Sequence, residues 1–245
     1  MSNLLPFTGN LITTGMGILP HKDRSRAMAL AMSVDIPFWP QLPRLNFFED
    51  MYVQASENFP GIILDAVNRK LSFHTETFYA ELERALMNLD NEDFFRMSPQ
   101  FSATYHRFLA HDLSHYVAIR GQLEGPVSFG LNVLDENKKP MIFNDEARSL
   151  LFDFMARKAN VQLRELKEKN PNAFMFIDEP GLQYIFSSVS GYTNDMARKD
   201  FEGFFAQIEH PRGVHLCGNP DWDFLLNLDI DILSFNAYNC GEIFV

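Results

Sequence analysis

The sequence predicts an α/β fold of parallel β/α units, set out as a (β/α)8 TIM barrel that is incomplete, its last two β/α units missing at the C-terminus. Three observations predict it. Short apolar runs alternate with long helical stretches through the second half of the chain, the pattern of parallel β/α units. Polar, Gly and Pro residues gather just after the apolar runs, where a barrel carries its site. About six strand-like runs occur in 245 residues, two fewer than closure needs. The expectation is one domain over residues 1–245, with a hairpin and helical insertion around 60–100.

The elements follow in order. Residues 11–15 (LITTG) read as a short strand that breaks into a turn at Gly15 and Gly17. Residues 23–32 carry strong helix formers. Residues 34–40 (VDIPFWP) are extended and end in a Pro-rich loop, and 47–58 read as helical. Residues 61–73 read as a hairpin around Asn68. Helices are expected over 75–89 and 101–115, then a buried strand over 116–121 running into a Gly/Pro loop at 122–127. The clearest helix spans 145–169, with Leu150, Leu151, Phe154, Met155, Val161 and Leu166 on its apolar positions and Pro171 behind it. Strands at 174–178, 213–217 and 230–235 alternate with helices at 194–209 and 222–228.

Composition narrows the function. A net charge of −11 argues against nucleic-acid binding, which needs a basic footprint. No apolar run of about 18 residues is present, so no membrane helix is expected. The N-terminus lacks a basic region followed by a long apolar stretch, so it does not read as a signal peptide. Two cysteines form no disulfide framework; the expectation is a cytoplasmic protein whose free thiols can act as ligands.

The most informative motif is GVHLCGNPDW at 213–222. On a strand, His215 and Cys217 point to the same face. A nitrogen and a sulfur ligand placed so supply half of a tetrahedral zinc site, and a zinc with an open position can hold a substrate thiol as the thiolate. A buried Cys beside a hydrogen-bonded core His is the plain alternative. In FIDEP at 176–180, adjacent carboxylates cannot both face one cavity from a regular strand; Asp178 is taken to face inward, where it would pair with a substrate ammonium. Gly15 and Gly17 allow close backbone approach, with a tight turn as the alternative. Arg120 and Gln122 border the Gly/Pro loop and are placed at the cavity mouth. His106, His111 and His115 read as one face of a helix, and Trp39 and Trp222 as packing residues near the rim.

Taken together, TTGMGILP (13–20), GQLEGPV (121–127), FIDEP (176–180), GVHLCGNPDW (213–222) and DIDILSFNAY (229–238) resemble, in order along nearly the whole chain, the cobalamin-independent methionine synthase superfamily. That superfamily also contains uroporphyrinogen decarboxylase and the methylcobamide:coenzyme M methyltransferases. The likeness is to short single-barrel relatives of the catalytic half of methionine synthase. The resemblance implies a (β/α)8 barrel that moves a methyl group onto a zinc-bound thiolate such as homocysteine. The donor would be a methylated folate or a methyl-corrinoid protein, and one Zn2+ is expected per chain.

By the same resemblance, His215 and Cys217 match two zinc ligands, Asp178 contacts the substrate amine, and backbone near Gly17 and Ile18 meets its carboxylate. Asn236 stands at the position of a ligating carboxylate, where an amide is a poor zinc ligand, and is counted with the substrate-binding residues. A last ligating Cys would lie beyond Val245, and Cys240 is a conceivable substitute. Partners are therefore small molecules, with no nucleic acid or membrane expected and a homo-oligomer left open. Two alternatives stand beside this. One is a truncated or degenerate non-catalytic barrel, for which Asn236 and the missing strands speak. The other is an enzyme like uroporphyrinogen decarboxylase, whose chemistry uses no metal.

Overall fold

A computed structural model describes residues 5–185, 192 and 194–244. Six strands lie among them. β1 (Ile62–Asp65) and β2 (Lys70–Phe73) form an antiparallel hairpin. β3 (Arg120–Glu124), β4 (Phe174–Asp178), β5 (Arg212–Leu216) and β6 (Ile232–Phe235) form a parallel sheet in sequence order. Two extended segments continue this order on the β3 side. Phe38 makes a parallel bridge to Arg120, and Ile18 makes one to Gln41. The molecule is α/β, with consecutive parallel strands joined through helices, as the alternation predicted.

The strand alternation sorts side chains onto two faces. On one face Ile119, Leu123, Met175, Ile177, Val214 and Leu216 join the main hydrophobic core. The helix Asp145–Lys167 lies in that core with Leu151, Phe154, Met155 and Leu163, all removed from solvent. It begins where the Asn144 side chain caps Ala147 N at 3.0 Å and ends at Glu168, before Pro171. Phe154 meets the rings of Phe59 and Phe95 with centroids 5.3 and 5.1 Å away, so the many phenylalanines build this layer. On the inner face, Ile36, Ala118, Phe174 and Phe176 form a smaller apolar cluster with Phe7, Ile12 and Ile232. That cluster floors the N-terminal half of the inner face. The C-terminal half is polar.

Several expected elements are displaced. Residues 11–15 form no strand; they run alongside the next segment through Ile36 N to Thr13 O at 2.9 Å and Thr14 Oγ1 to Ile36 O at 2.8 Å. The helix expected over 101–115 is Ala103–Leu109. Asp112 stops it, because its carboxylate accepts from Ser114 N at 3.1 Å and Ser114 Oγ at 2.7 Å, a local turn that competes with the helix. His111 and His115 therefore lie outside the helix, and His106 is tied to Met97 O at 2.7 Å. Trp39 is not at a rim: it is fully buried, with Nε1 donating to Gln162 Oε1 at 3.2 Å. The strand expected over 116–121 is Arg120–Glu124, and the expected loop after it contains the helix Pro126–Asn132. Among the described residues, no helix is long and apolar enough to cross a membrane.

Candidate functional site

Pairing register defines the polar end of the inner face. Glu124 pairs with Asp178, Asp178 with His215, and His215 with Ser234. Paired residues on parallel strands point the same way, so these four side chains form one row across β3 to β6. One layer below, the row holds Gln122, Phe176 and Gly213. Arg120 lies deeper still, with no exposed surface.

Arg120 is held by its surroundings. Its guanidinium donates to Thr14 Oγ1 at 3.1 Å, to Gln122 Oε1 at 3.0 Å and to Gly15 O, and sits over the rings of Phe38 and Phe176. Gln122 in turn donates to Trp39 O at 2.8 Å. A Cβ on Gly17 would sit 2.5 Å from Gln122 Nε2, so glycine is needed for this close approach. Neither Arg120 nor Gln122 lines a cavity mouth; both are buried supports. Ile18 is half exposed and bridges Gln41.

At the β5 end, His215 Nδ1 lies 2.9 Å from Ser234 Oγ, and its Nε2 lies 3.2 Å from Cys217 Sγ. His215 is buried, whereas Cys217, one residue past the strand, is exposed. Cys217 is therefore no core cysteine. Burial, helped by the Arg120 charge, pushes the His215 pKa down to about 4, so the imidazole is neutral at pH 7. Burial raises the Cys217 pKa, with Asp178 adding to the effect. Asn236 is engaged as a cap: its Oδ1 accepts from Asn239 N at 3.2 Å at the start of the short helix Ala237–Cys240. Cys240 is buried in that helix. Trp222 packs edge-on against Phe235, and its Nε1 donates to Asn219 Oδ1 at 2.7 Å.

Two donor atoms on one tetrahedral zinc stand about 3.5 Å apart. The His215 and Cys217 atoms are within a few tenths of an ångström of that spacing. A neutral imidazole whose other nitrogen is hydrogen-bonded is also the form that ligates. The pair thus fits half of a zinc shell. Among the described residues, no group of three or more His, Cys, Asp or Glu is gathered for a metal.

Asp178 and Glu179 part company at the end of β4. Glu179 turns to the first turn of Pro126–Asn132 and accepts from Val127 N at 3.0 Å, Ser128 N at 2.9 Å and Ser128 Oγ at 2.6 Å. A Cβ on Gly125 would lie 2.2 Å from its carboxyl, so Gly125 makes room for it. Asp178 stays in the row, and its Oδ1 has no hydrogen-bond partner. Burial pushes both pKa values up to about 7, against the pull of Arg120 for Asp178 and of the Ser128 and Val127 donors for Glu179.

Glu124 was not among the sequence-predicted site residues. It is 1% exposed, and neither carboxylate oxygen has a hydrogen-bond partner. Burial raises its pKa well above the usual range; the Tyr52 hydroxyl offsets part of this, and the charges of Glu179, Asp178 and Asp50 add to it. Polar residues at every second position, Arg120, Gln122 and Glu124, were the available signal.

The sheet and its helices are similar in fold to a methyltransferase from Methanosarcina mazei, with a TM-score of 0.53 and 14% sequence identity. The likeness covers 90% of this chain and 65% of that one, so the chain spans less than two thirds of the length of the protein it matches. No protein-family model matches the sequence. No curated protein matches it either.

Proposed function

We propose that the chain is a methyltransferase of the methionine synthase type, on a (β/α)8 barrel scaffold, that methylates a thiol at the polar end of the inner face. The observation that carries this reading is the His215 Nε2 to Cys217 Sγ pair at 3.2 Å, with Nδ1 fixed by Ser234. The fold likeness to a methyltransferase and the motif order along the chain support it.

His215 and Cys217 would hold a zinc ion, and zinc supplies charge that keeps a thiol as its reactive thiolate at neutral pH. The reaction forms a sulfur–methyl bond and breaks the bond between methyl and its donor, and the thiol proton leaves. The chain's own residues set the rest. Ser234 holds the ring through Nδ1, and with the imidazole proton on Nδ1 the Nε2 lone pair is available as a ligand. Arg120 keeps Asp178 partly ionised in a buried place, so that it can take a substrate ammonium. Backbone groups of Gly17 and Ile18 would meet the substrate carboxylate. A methylated folate or a methyl-corrinoid protein is the proposed donor.

A non-catalytic barrel relative is the second reading. The capping role of Asn236 and the lack of a third ligand among the described residues favour it. A uroporphyrinogen-type decarboxylase is disfavoured, because the row of Glu124, Asp178, His215 and Ser234 offers an acidic tetrapyrrole no cationic side chain. The test is a methyl-transfer assay with the zinc-loaded chain, homocysteine, and either methyltetrahydrofolate or methylcobalamin. Thioether formation that falls at least a hundredfold in Cys217→Ser is expected. No thioether from either donor, with zinc bound, overturns the reading.

A further inference from the structure

The helix Thr75–Met87 carries more apolar surface than its own packing uses. Phe78 and Ala85 are removed from solvent and hold it to the core. A second apolar row, Tyr79, Leu82 and Leu86, follows at i, i+3 and i+7 on a neighbouring face, and Leu89 continues it. Tyr79 and Leu86 are each 50% exposed, and Met87 next to Leu86 is 76% exposed. A surface helix that served only the core would carry polar residues there. Leu82, Leu86 and Leu89 instead line a groove of about 520 Å3 together with Leu150 and Ser149 of the helix Asp145–Lys167. The rest of the lining is acidic: Asp145, Glu146 and Asp153, with no basic side chain among the described residues. Arg148 and Arg157 reach Asp145 and Asp153 at 2.7 and 2.8 Å from the same helix, but neither guanidinium lines the groove. Glu146 pairs with no cation among the described residues.

We propose that this groove is a docking site for a basic amphipathic helix of a partner protein, which lays a stripe of leucine-like side chains on Leu82, Leu86, Leu89 and Leu150 and sets Lys or Arg against Asp145, Glu146 and Asp153. An apolar floor with a charged rim is the pattern of helix-in-groove recognition, in which anchors at i, i+3 or i+4, and i+7 supply the burial. The sign of the rim selects the occupant. An isologous contact with a second copy would set the same three acids against each other. An anionic lipid surface would meet them with like charge. A basic helix meets opposite charge at the rim and is drawn in by the net charge of −11. The groove lies on the helix-covered side of the sheet, so the proposal stands whether or not the chain transfers methyl groups.

The test is fluorescence anisotropy of the full chain with a labelled peptide of about 15 residues, built of Lys and Ala with leucines at i, i+4 and i+7. One control peptide has the same composition with its leucines spread around the helix; another keeps the stripe but carries Glu in place of Lys. The striped basic peptide is expected to bind about tenfold more tightly than either control. Leu86→Gln and Glu146→Lys, both at exposed positions outside the core, should each weaken it about tenfold and leave the unfolding midpoint in place. Equal binding of the two basic peptides overturns the proposal, since charge alone then suffices. Equal binding of the acidic peptide, or no binding of any peptide, overturns it as well. Variants that bind like the natural chain place the peptide elsewhere and have the same consequence. Sedimentation of the chain alone and flotation with phosphatidylserine vesicles test the other occupants. A dimer that Leu86→Gln dissolves, or vesicle binding that it abolishes, would give the groove to a second copy or to lipid, and the proposal would fall.

Discussion

The two faces of the parallel sheet are built to different rules. The helix-covered face is apolar, dense with rings, and closed to water. At the C-terminal end of the inner face, the same strands bury Glu124, Asp178 and His215, and the two acids carry oxygens with no partner. The first face is what holds the chain together. The second gives up stability, which is expected where groups are kept ready for a ligand. Asp178 and Glu179 show the contrast within one dipeptide: one acid is left open, the next is satisfied by three donors.

The largest break in this comparison is Phe154→Ala. Its ring is fully buried between Phe59 and Phe95, so its loss should cost about 3–5 kcal/mol in urea unfolding. A loss below 1 kcal/mol would mean that the helix-covered face is not the stabilising one. Next in size is Glu179→Ala, which leaves the buried donors of Val127 and Ser128 unsatisfied. It should lose about 2–3 kcal/mol by the same measurement.

Its neighbour should act with the opposite sign. The folded chain holds the Asp178 proton more tightly than the unfolded chain does, since the pKa is raised from 3.8 to about 7. Stability from this group is therefore full below about pH 4 and is lost as pH rises through about 7. Asp178→Asn should unfold about 1–2 kcal/mol later than the natural chain at pH 8, with the gain vanishing near pH 4. A destabilised variant at pH 8 would show that Asp178 has an ordinary structural role. The smallest effect is expected from Ser234→Ala, which frees His215 Nδ1 and should weaken zinc about tenfold in a chelator competition, with little change in unfolding.

The helix-covered face was legible in the sequence because apolar spacing records it directly. Leu150, Leu151, Phe154 and Met155 mark the helix Asp145–Lys167, and FMFID marks β4. The polar end was legible only in part. Asp178, His215 and Cys217 stand at strand ends inside distinctive motifs, and the structure brings them to one end of the sheet. Glu124 was hidden because Gly125-Pro126 reads as a loop signal, whereas the pairing of β3 with β4 continues through Glu124. The role of Asn236 was also hidden: nothing in its spacing distinguishes a ligand from the cap of the helix that follows. Arg120 and Gln122 were placed at a cavity mouth because polar residues usually face water; burial among Thr14, Gly15 and Trp39 satisfies them instead.

The measurement that tests the central claim most directly is the metal content of the purified chain, by elemental analysis after dialysis against zinc, with Cys217→Ser and His215→Ala in parallel. About one zinc per natural chain, lost from both variants while their unfolding midpoints stay close to the natural value, is the predicted result. A folded natural chain that holds no zinc, or variants that keep it, would contradict the account.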